Sequence, residues 1–251
     1  MKDPELDYSY VGSASQCGYL PEETWQMKYA LVRNLTPEKY WDLIHTGWRR
    51  FGHVLFRPVC SSCQACEPIR VLTHEYQPNR SQRRLIKANE NSVQLVISEP
   101  EINEEKLTIY MRHHNDHAQN KGWPTPSVIG GVEHISSIID GPLPVEEWCF
   151  YIDGKLVSIS YMDVLKDGLS GIYFFYDPDY KDRQLGTWIL ISMIKECARR
   201  GLPYAYLGYF VKGCRSMEYK GHFKPSEILF LDGTWRLVEP LKRGGEAGDR
   251  V

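Results

Sequence analysis

The strongest constraint on the fold lies in the second half of the chain. Glu147 to Ile152, Leu156 to Val164 and Leu169 to Tyr176 are strand-length runs rich in aromatic and β-branched residues. Asp153-Gly154 and Lys166-Asp167-Gly168 separate them, and turns of the Asp-Gly type hold adjacent strands as hairpins. A helical pattern follows from about Leu185 to Arg200 and closes at Gly201; Ala205 to Tyr209 then reads as a buried strand. A meander feeding a helix and then a further strand implies a mixed sheet with helices packed on it, an α+β arrangement.

The remaining sequence supplies a smaller unit and few exclusions. With 251 residues there is length for one large domain or two small ones. No apolar run approaches the roughly 18 residues of a membrane span. Asp3, Glu5 and Asp7 open the chain with the opposite of a basic signal region, so a cytoplasmic, untargeted protein is expected. Residues 1–15 show no periodicity and read as an irregular arm. Met27 to Leu35 alternates as a strand. Thr36-Pro37 starts a helix carrying Tyr40, Leu43, Ile44 and Trp48. Phe51 to Phe56 and Ile69 to Leu72 read as strands, Asn79 to Asn89 as a basic helix, and Val93 to Ile97 as a strand. Pro100-Glu101 begins a linker into a helix over Glu104 to Asn120, and the Gly- and Pro-rich stretch from Gly122 to Pro144 reads as loop. The expected division is therefore 1–100 and 101–251. His113 and His117 stand at a spacing that could ligate metal, although a solvated or hydrogen-bonded pair is the ordinary outcome.

Two features of composition point toward chemistry. Cys60, Cys63 and Cys66 recur at a spacing of three, which in a reducing compartment favours metal ligation or reactive thiols; Cys149, Cys197 and Cys214 read as small buried hydrophobes. The cysteine run matches the first three positions of a ferredoxin-type motif, and Cys17 could complete a set of four for an Fe–S cluster or Zn. Free thiols packing a loop are the alternative. Charge is also uneven: net charge is −2, yet residues 49–87 and 180–224 are basic and flank an acidic middle. If the two basic segments meet they form one cationic face suited to a polyanion such as RNA; otherwise they are a solvated surface.

The second half resembles a GNAT-type acyltransferase core, whose pyrophosphate-binding turn falls here on Arg183-Gln184-Leu185-Gly186-Thr187-Trp188. A Trp at the second small position would obstruct a phosphate on the helix N-terminus, so an acyl donor other than CoA is implied. Across roughly Cys17 to Leu229 the chain resembles the bacterial aminoacyl-tRNA–protein transferases, the aspartate/glutamate leucyltransferase branch, related to the eukaryotic arginyl-tRNA–protein transferases. The matching stretches are Cys17-Gly18-Tyr19-Leu20-Pro21, Gly47-Trp48-Arg49-Arg50-Phe51-Gly52, Phe56-Arg57-Pro58-Val59-Cys60 with Cys63 and Cys66, and Pro78-Asn79-Arg80-Ser81-Gln82-Arg83-Arg84. Later ones are Tyr173-Phe174-Phe175-Tyr176-Asp177-Pro178, Leu185-Gly186, Tyr206-Leu207-Gly208-Tyr209, and Gly213-Cys214 with Met217, Tyr219-Lys220-Gly221 and Phe223-Lys224-Pro225. Leu20 stands where the eukaryotic enzymes have a second cysteine, which fits the bacterial branch.

The resemblance implies transfer of an amino acid, leucine favoured over arginine, from aminoacyl-tRNA to proteins beginning with Asp or Glu, marking them for N-degron degradation. An aminoacyl ester is already activated, so no cofactor is required for transfer. The enzyme must deprotonate an ammonium, align amine with ester, and stabilise an oxyanion. Asp177 is the first candidate for the base or for positioning the amine, with a plain turn residue as the alternative. Tyr173, Tyr176 and Tyr209 are candidate donors to the oxyanion or leaving hydroxyl, with sheet core as the alternative. Arg80, Arg83, Lys212, Arg215 and Lys220 are candidates for the clamp on the acceptor's acid, and these with Arg49 and Arg50 for tRNA phosphates. Two competing functions are a CoA-dependent N-acetyltransferase and an inert RNA-binding or redox-sensing module.

Overall fold

The structure, a computed structural model, describes residues 8–238. The acidic opening, Asp3, Glu5 and Asp7, lies outside the described residues. The N-terminal part is a four-stranded sheet of β1 (Tyr8–Val11), β4 (Met27–Leu31), β5 (Arg49–Phe51) and β6 (Val54–Pro58), in the order β1-β4-β6-β5. A two-stranded ribbon, β2 (Ser15–Gln16) with β3 (Thr24–Trp25), precedes β4. The expected irregular arm is thus paired from Tyr8 onward, because Tyr10 stacks on Tyr29 of β4 at 5.4 Å. Phe51 to Phe56 is a hairpin rather than one strand, turned at Gly52, whose φ of 56° suits glycine.

Helix α1 (Pro37–Ile44) starts as its sequence dictates: Thr36 accepts from the Lys39 amide at 3.2 Å and Pro37 occupies the first turn. Its buried Tyr40, Leu43 and Ile44 form one core with Ala30, Trp48 and Leu55. Helix α2 (Arg80–Asn89) opens with a reciprocal box between Asn79 and Gln82.

The main sheet has eight strands, β7 (Glu67–Leu72), β8 (Gln94–Ser98), β9 (Val145–Ile152), β10 (Lys155–Leu165), β11 (Gly168–Tyr176), β12 (Tyr204–Phe210), β13 (Ser226–Leu229) and β14 (Trp235–Leu237). Their order is β14-β13-β7-β12-β11-β10-β9-β8, with β11 and β12 parallel and the other pairs antiparallel. Helix α5 (Leu185–Arg199) makes the crossover between the parallel pair, as the meander-helix-strand pattern requires. Strand alternation divides the core. Trp148, Phe150 and Ile152 pack with α5 residues Ile189, Ile191 and Ile194 on one face. Cys149, Ile159 and Phe175 pack with α3 (Glu104–Lys121) and α4 (Val128–Ile139) on the other. The mixed α+β fold is the one expected. The boundary expected at residue 100 has strands of one sheet on both sides, since β7 and β8 pair with β12, β13 and β9.

Helix α4 corrects the loop expected over Gly122 to Pro144. Ser127 caps it by accepting from the Gly130 amide at 3.0 Å, and Gly131, Ile135 and Ile138 face inward. A Cβ at Gly131 would stand 2.9 Å from Leu107 and 3.0 Å from Tyr110, so glycine here lets α4 lie directly on α3. Among the described residues no helix is long and apolar enough to cross a membrane.

Candidate active site

Strands β11 and β12 are paired only at Gly168–Ser170 with Tyr204–Tyr206, after which they separate. Register shifts at Tyr161/Met162 of β10 and at Tyr206/Gly208 of β12 interrupt the flanking ladders. Gly208, at φ 85°, takes a backbone conformation that side chains resist. The opening is a cleft of about 220 Å³ whose wall includes Arg49, Tyr173, Phe174, Gly208, Tyr209 and Lys220. It shares Tyr19, Phe56 and Tyr209 with a neighbouring apolar cavity of about 580 Å³.

Two basic side chains line the cleft. Arg49 is buried and donates to the Gly171 carbonyl at 3.3 Å. Lys220, on the short turn Tyr219–His222, is half-buried and donates to the Tyr209 carbonyl at 3.0 Å. A Cβ at Gly208 would lie 3.6 Å from Lys220 Nζ and 3.8 Å from Arg49 Nη2, so both side-chain ends reach the same spot on the wall. Among the described lining residues there is no Asp or Glu.

The predicted residues separate into those brought to the cleft and those held elsewhere. Tyr173 lines it, its hydroxyl 2.8 Å from His114 Nε2. Tyr209 lines both cavities, but its hydroxyl donates to the Gly47 carbonyl at 2.9 Å, so it acts as a brace. Burial pushes both phenols up, most strongly at Tyr209. Tyr176 packs against the His113 ring at 4.6 Å and is not among the lining residues of the cleft. Neither is Asp177: it accepts from the Asp179 amide at 3.0 Å and pairs with Arg112 at 2.9 Å, as a turn residue would. Arg50 is fully buried against Asp163 and donates to the Gly52 carbonyl at 3.0 Å, which removes it from any surface for tRNA. Arg80, Arg83, Lys212 and Arg215 are exposed. Trp188 is turned into the main core, 5% exposed, rather than standing over the start of α5.

Cys17, Cys60, Cys63 and Cys66 all line the apolar cavity. Cys17 accepts from the amides of Tyr19 and Leu20, and Cys60 from the amide of Gln26. Burial first, then the neighbouring Cys60, Cys17 and Cys63, pushes the Cys66 thiol up to about 12. Thiols are fitting donors for Zn or Fe–S, but among the described residues no three His, Cys, Asp or Glu are arranged to hold an ion.

A cluster not read from the sequence lies behind Tyr173. His113, His114, His117 and His134 gather with Tyr110 and Trp123 across α3 and α4. His113 and His117 are the hydrogen-bonded pair that their spacing allowed, though buried rather than solvated. Burial first, then the other rings, pushes His113 down to about 3 and His114 to about 4. The signal in the sequence was the recurrence of His113, His114 and His117 on one helix; His134 comes from α4.

Two family models cover most of the chain: "Arginine-tRNA-protein transferase, N terminus" matches residues 15–84 and "Arginine-tRNA-protein transferase, C terminus" residues 105–230. The chain belongs to this family. Among curated proteins, this transferase is 36% identical to the aspartate/glutamate leucyltransferase of Campylobacter jejuni over 93% of its own length and 97% of that protein's. It is also 36% identical to that of Pseudomonas aeruginosa, over 90% and 94%. Of solved structures, it overlays on the L-PGS of Bacillus licheniformis with a TM-score of 0.44 and 13% identity, over 80% of this chain and 62% of that one. It overlays on FemX with a TM-score of 0.45 and 9% identity, over 82% and 80%.

Proposed function

We propose that this transferase moves leucine from leucyl-tRNA to the α-amine of proteins beginning with Asp or Glu, and that the reacting ends meet in the cleft between β11 and β12. The observation that carries this reading is the Arg49 guanidinium, buried beside Gly208 on a wall without a carboxylate. Positive charge withdrawn from water without an internal counter-ion favours an incoming anion. The acceptor's first side chain supplies a carboxylate of the shape that the Arg49 fork matches. The two leucyltransferase relatives are named for the same acceptors.

The neighbouring cavity bears on the donor. Leu20, Trp25, Met27, Phe56 and Val59 are on its wall, and its described lining contains no Asp or Glu. An aliphatic side chain finds apolar contact there, whereas a guanidinium finds no counter-ion. The exposed cations of α2, with Lys212 and Arg215, are the groups proposed to contact tRNA phosphates. In the reaction the acceptor nitrogen attacks the ester carbonyl, the C–N bond forms, and the C–O bond to the ribose breaks. Such a product, made in the cytoplasm where aminoacyl-tRNA is abundant, begins with leucine and is marked for N-degron degradation.

Incubation with labelled leucyl- and arginyl-tRNA and peptides beginning with Asp, Glu or Ala tests this. Leucine should appear on the Asp and Glu peptides only. Arginine transferred at the higher kcat/KM, or equal labelling of the Ala peptide, refutes the reading.

A further inference from the structure

Transfer in this cleft leaves a proton to be placed. A protein α-amine has a pKa near 8, so at neutral pH it is largely ammonium, and only the neutral amine attacks an ester. The described cleft wall contains no Asp, Glu or His. Asp177 is committed to Arg112 and to the Asp179 amide. Tyr209 already donates to Gly47, Tyr173 is held by His114, and both phenols are raised. Arg49 does not give up its proton.

Lys220 is the remaining group. Its Nζ is directed toward the Tyr209 carbonyl at 3.0 Å and Met217 Sδ at 3.6 Å. A neutral amine has two N–H bonds and one lone pair, so these two contacts use both hydrogens and leave the lone pair free. Gly208 places no side chain between Nζ and the cleft. The charged and titratable groups around it are Arg49 from β5, Tyr209 from β12, Tyr219 beside it, and the Cys66 and Cys214 thiols. None is a carboxylate that would hold the lysine charged. Burial first, and the Arg49 charge second, brings the Lys220 ammonium down from 10.5 to about 7.

We propose that Lys220 is the general base of the transfer, accepting a proton from the acceptor's α-ammonium as its nitrogen closes on the leucyl ester. The assignment rests on the β11–β12 cleft being the transfer site. The first proton leaves the ammonium for Lys220, and the nitrogen lone pair forms the C–N bond. As the tetrahedral adduct collapses, the nitrogen's second surplus proton passes to the departing ribose oxygen, whose C–O bond breaks. Lys220 returns its proton to water, so one proton is released per turnover.

The test is the pH dependence of kcat/KM for leucyl transfer, between about pH 5.5 and 8.5, with Asp-starting peptides whose α-amines differ in pKa by about one unit. In the wild-type protein the rising limb should stay near pH 7 for every peptide, because it belongs to the enzyme; a limb that tracks the peptide overturns the proposal without any variant. Lys220→Arg keeps the charge but cannot accept the proton. It should lower kcat/KM at pH 7.5 by about 10²–10⁴ and move the limb to the peptide's own pKa. A Lys220→Arg protein within about threefold of wild type, with its limb unmoved, also overturns the proposal. No leucyl transfer by the wild-type protein would overturn the reading of the cleft together with this assignment.

Discussion

The pair Arg50 and Asp163 makes a quantitative test of the fold. The side chains are 0% and 2% exposed, Arg50 Nε and Asp163 Oδ2 have no partner of their own, and burial holds the Asp163 carboxyl above its usual range despite Arg50. Removing one member of a buried pair strands the other and costs about 3–5 kcal/mol. The two truncations should not be equal. A stranded carboxylate can escape by protonation, whereas a stranded guanidinium keeps its charge, so Asp163→Ala should be the worse and Arg50→Met the milder. For a chain of this size, about 2–4 °C of Tm per kcal/mol turns the Asp163→Ala loss into about 6–20 °C. The double variant Arg50→Met/Asp163→Leu should recover much of that loss. Urea unfolding of the four proteins at pH 7 gives the cycle. A loss under about 1 kcal/mol for Asp163→Ala would refute the argument. So would an Arg50→Met protein that folds normally but has a shallower salt dependence of tRNA binding, because that would place Arg50 at the phosphates after all.

The histidine cluster should make the protein acid-labile. His113 is lowered in the folded state to about 3 from 6.5, so between these values the unfolded chain binds the proton and the folded chain does not. Stability therefore rises with pH across this window and is lost on acidification, by up to about 5 kcal/mol from this ring alone. His113→Gln should flatten the Tm–pH curve below pH 6.5; an unchanged slope would remove His113 from the effect. For the cysteines, Cys63→Ala should retain measurable transfer, because the ester needs no covalent thiol intermediate. Metal analysis and an absorption spectrum after anaerobic purification would accompany the assay. A folded Cys63→Ala protein with wild-type metal content and no transfer would refute this.

What was legible in the sequence was local. Thr36-Pro37 and the Asp-Gly turns act within a few residues, and each produced the expected element. Glycine was harder to read. Gly130-Gly131 looks like a helix breaker, yet Gly131 sits inside α4 because Leu107 and Tyr110 leave no room for a side chain. The site was readable by residue type, but not by which side chains meet. Arg49 and Arg50 are adjacent and chemically alike, but the strand pleat sends one toward the cleft and the other toward Asp163. Asp177 read as a base because nothing nearby in sequence shows Arg112 waiting on α3. The distinction depends on contacts more than sixty residues apart, which periodicity does not record.

The place of β7 in the main sheet has a consequence for how the chain is made. Leu72 pairs with Tyr204, and Val71 with Ser226, so β7 lies between two strands synthesised about 130 and 155 residues later. Until those strands leave the ribosome, both edges of β7 lack their neighbours. Loop closure over such spans is slow, and the cleft wall is assembled from β5 on one side of it and β11 and β12 on the other. The charged mouth that would capture an acidic N-terminus therefore forms only after β12 and β13 have been synthesised, and a shorter nascent chain has little means of acting on its own neighbours.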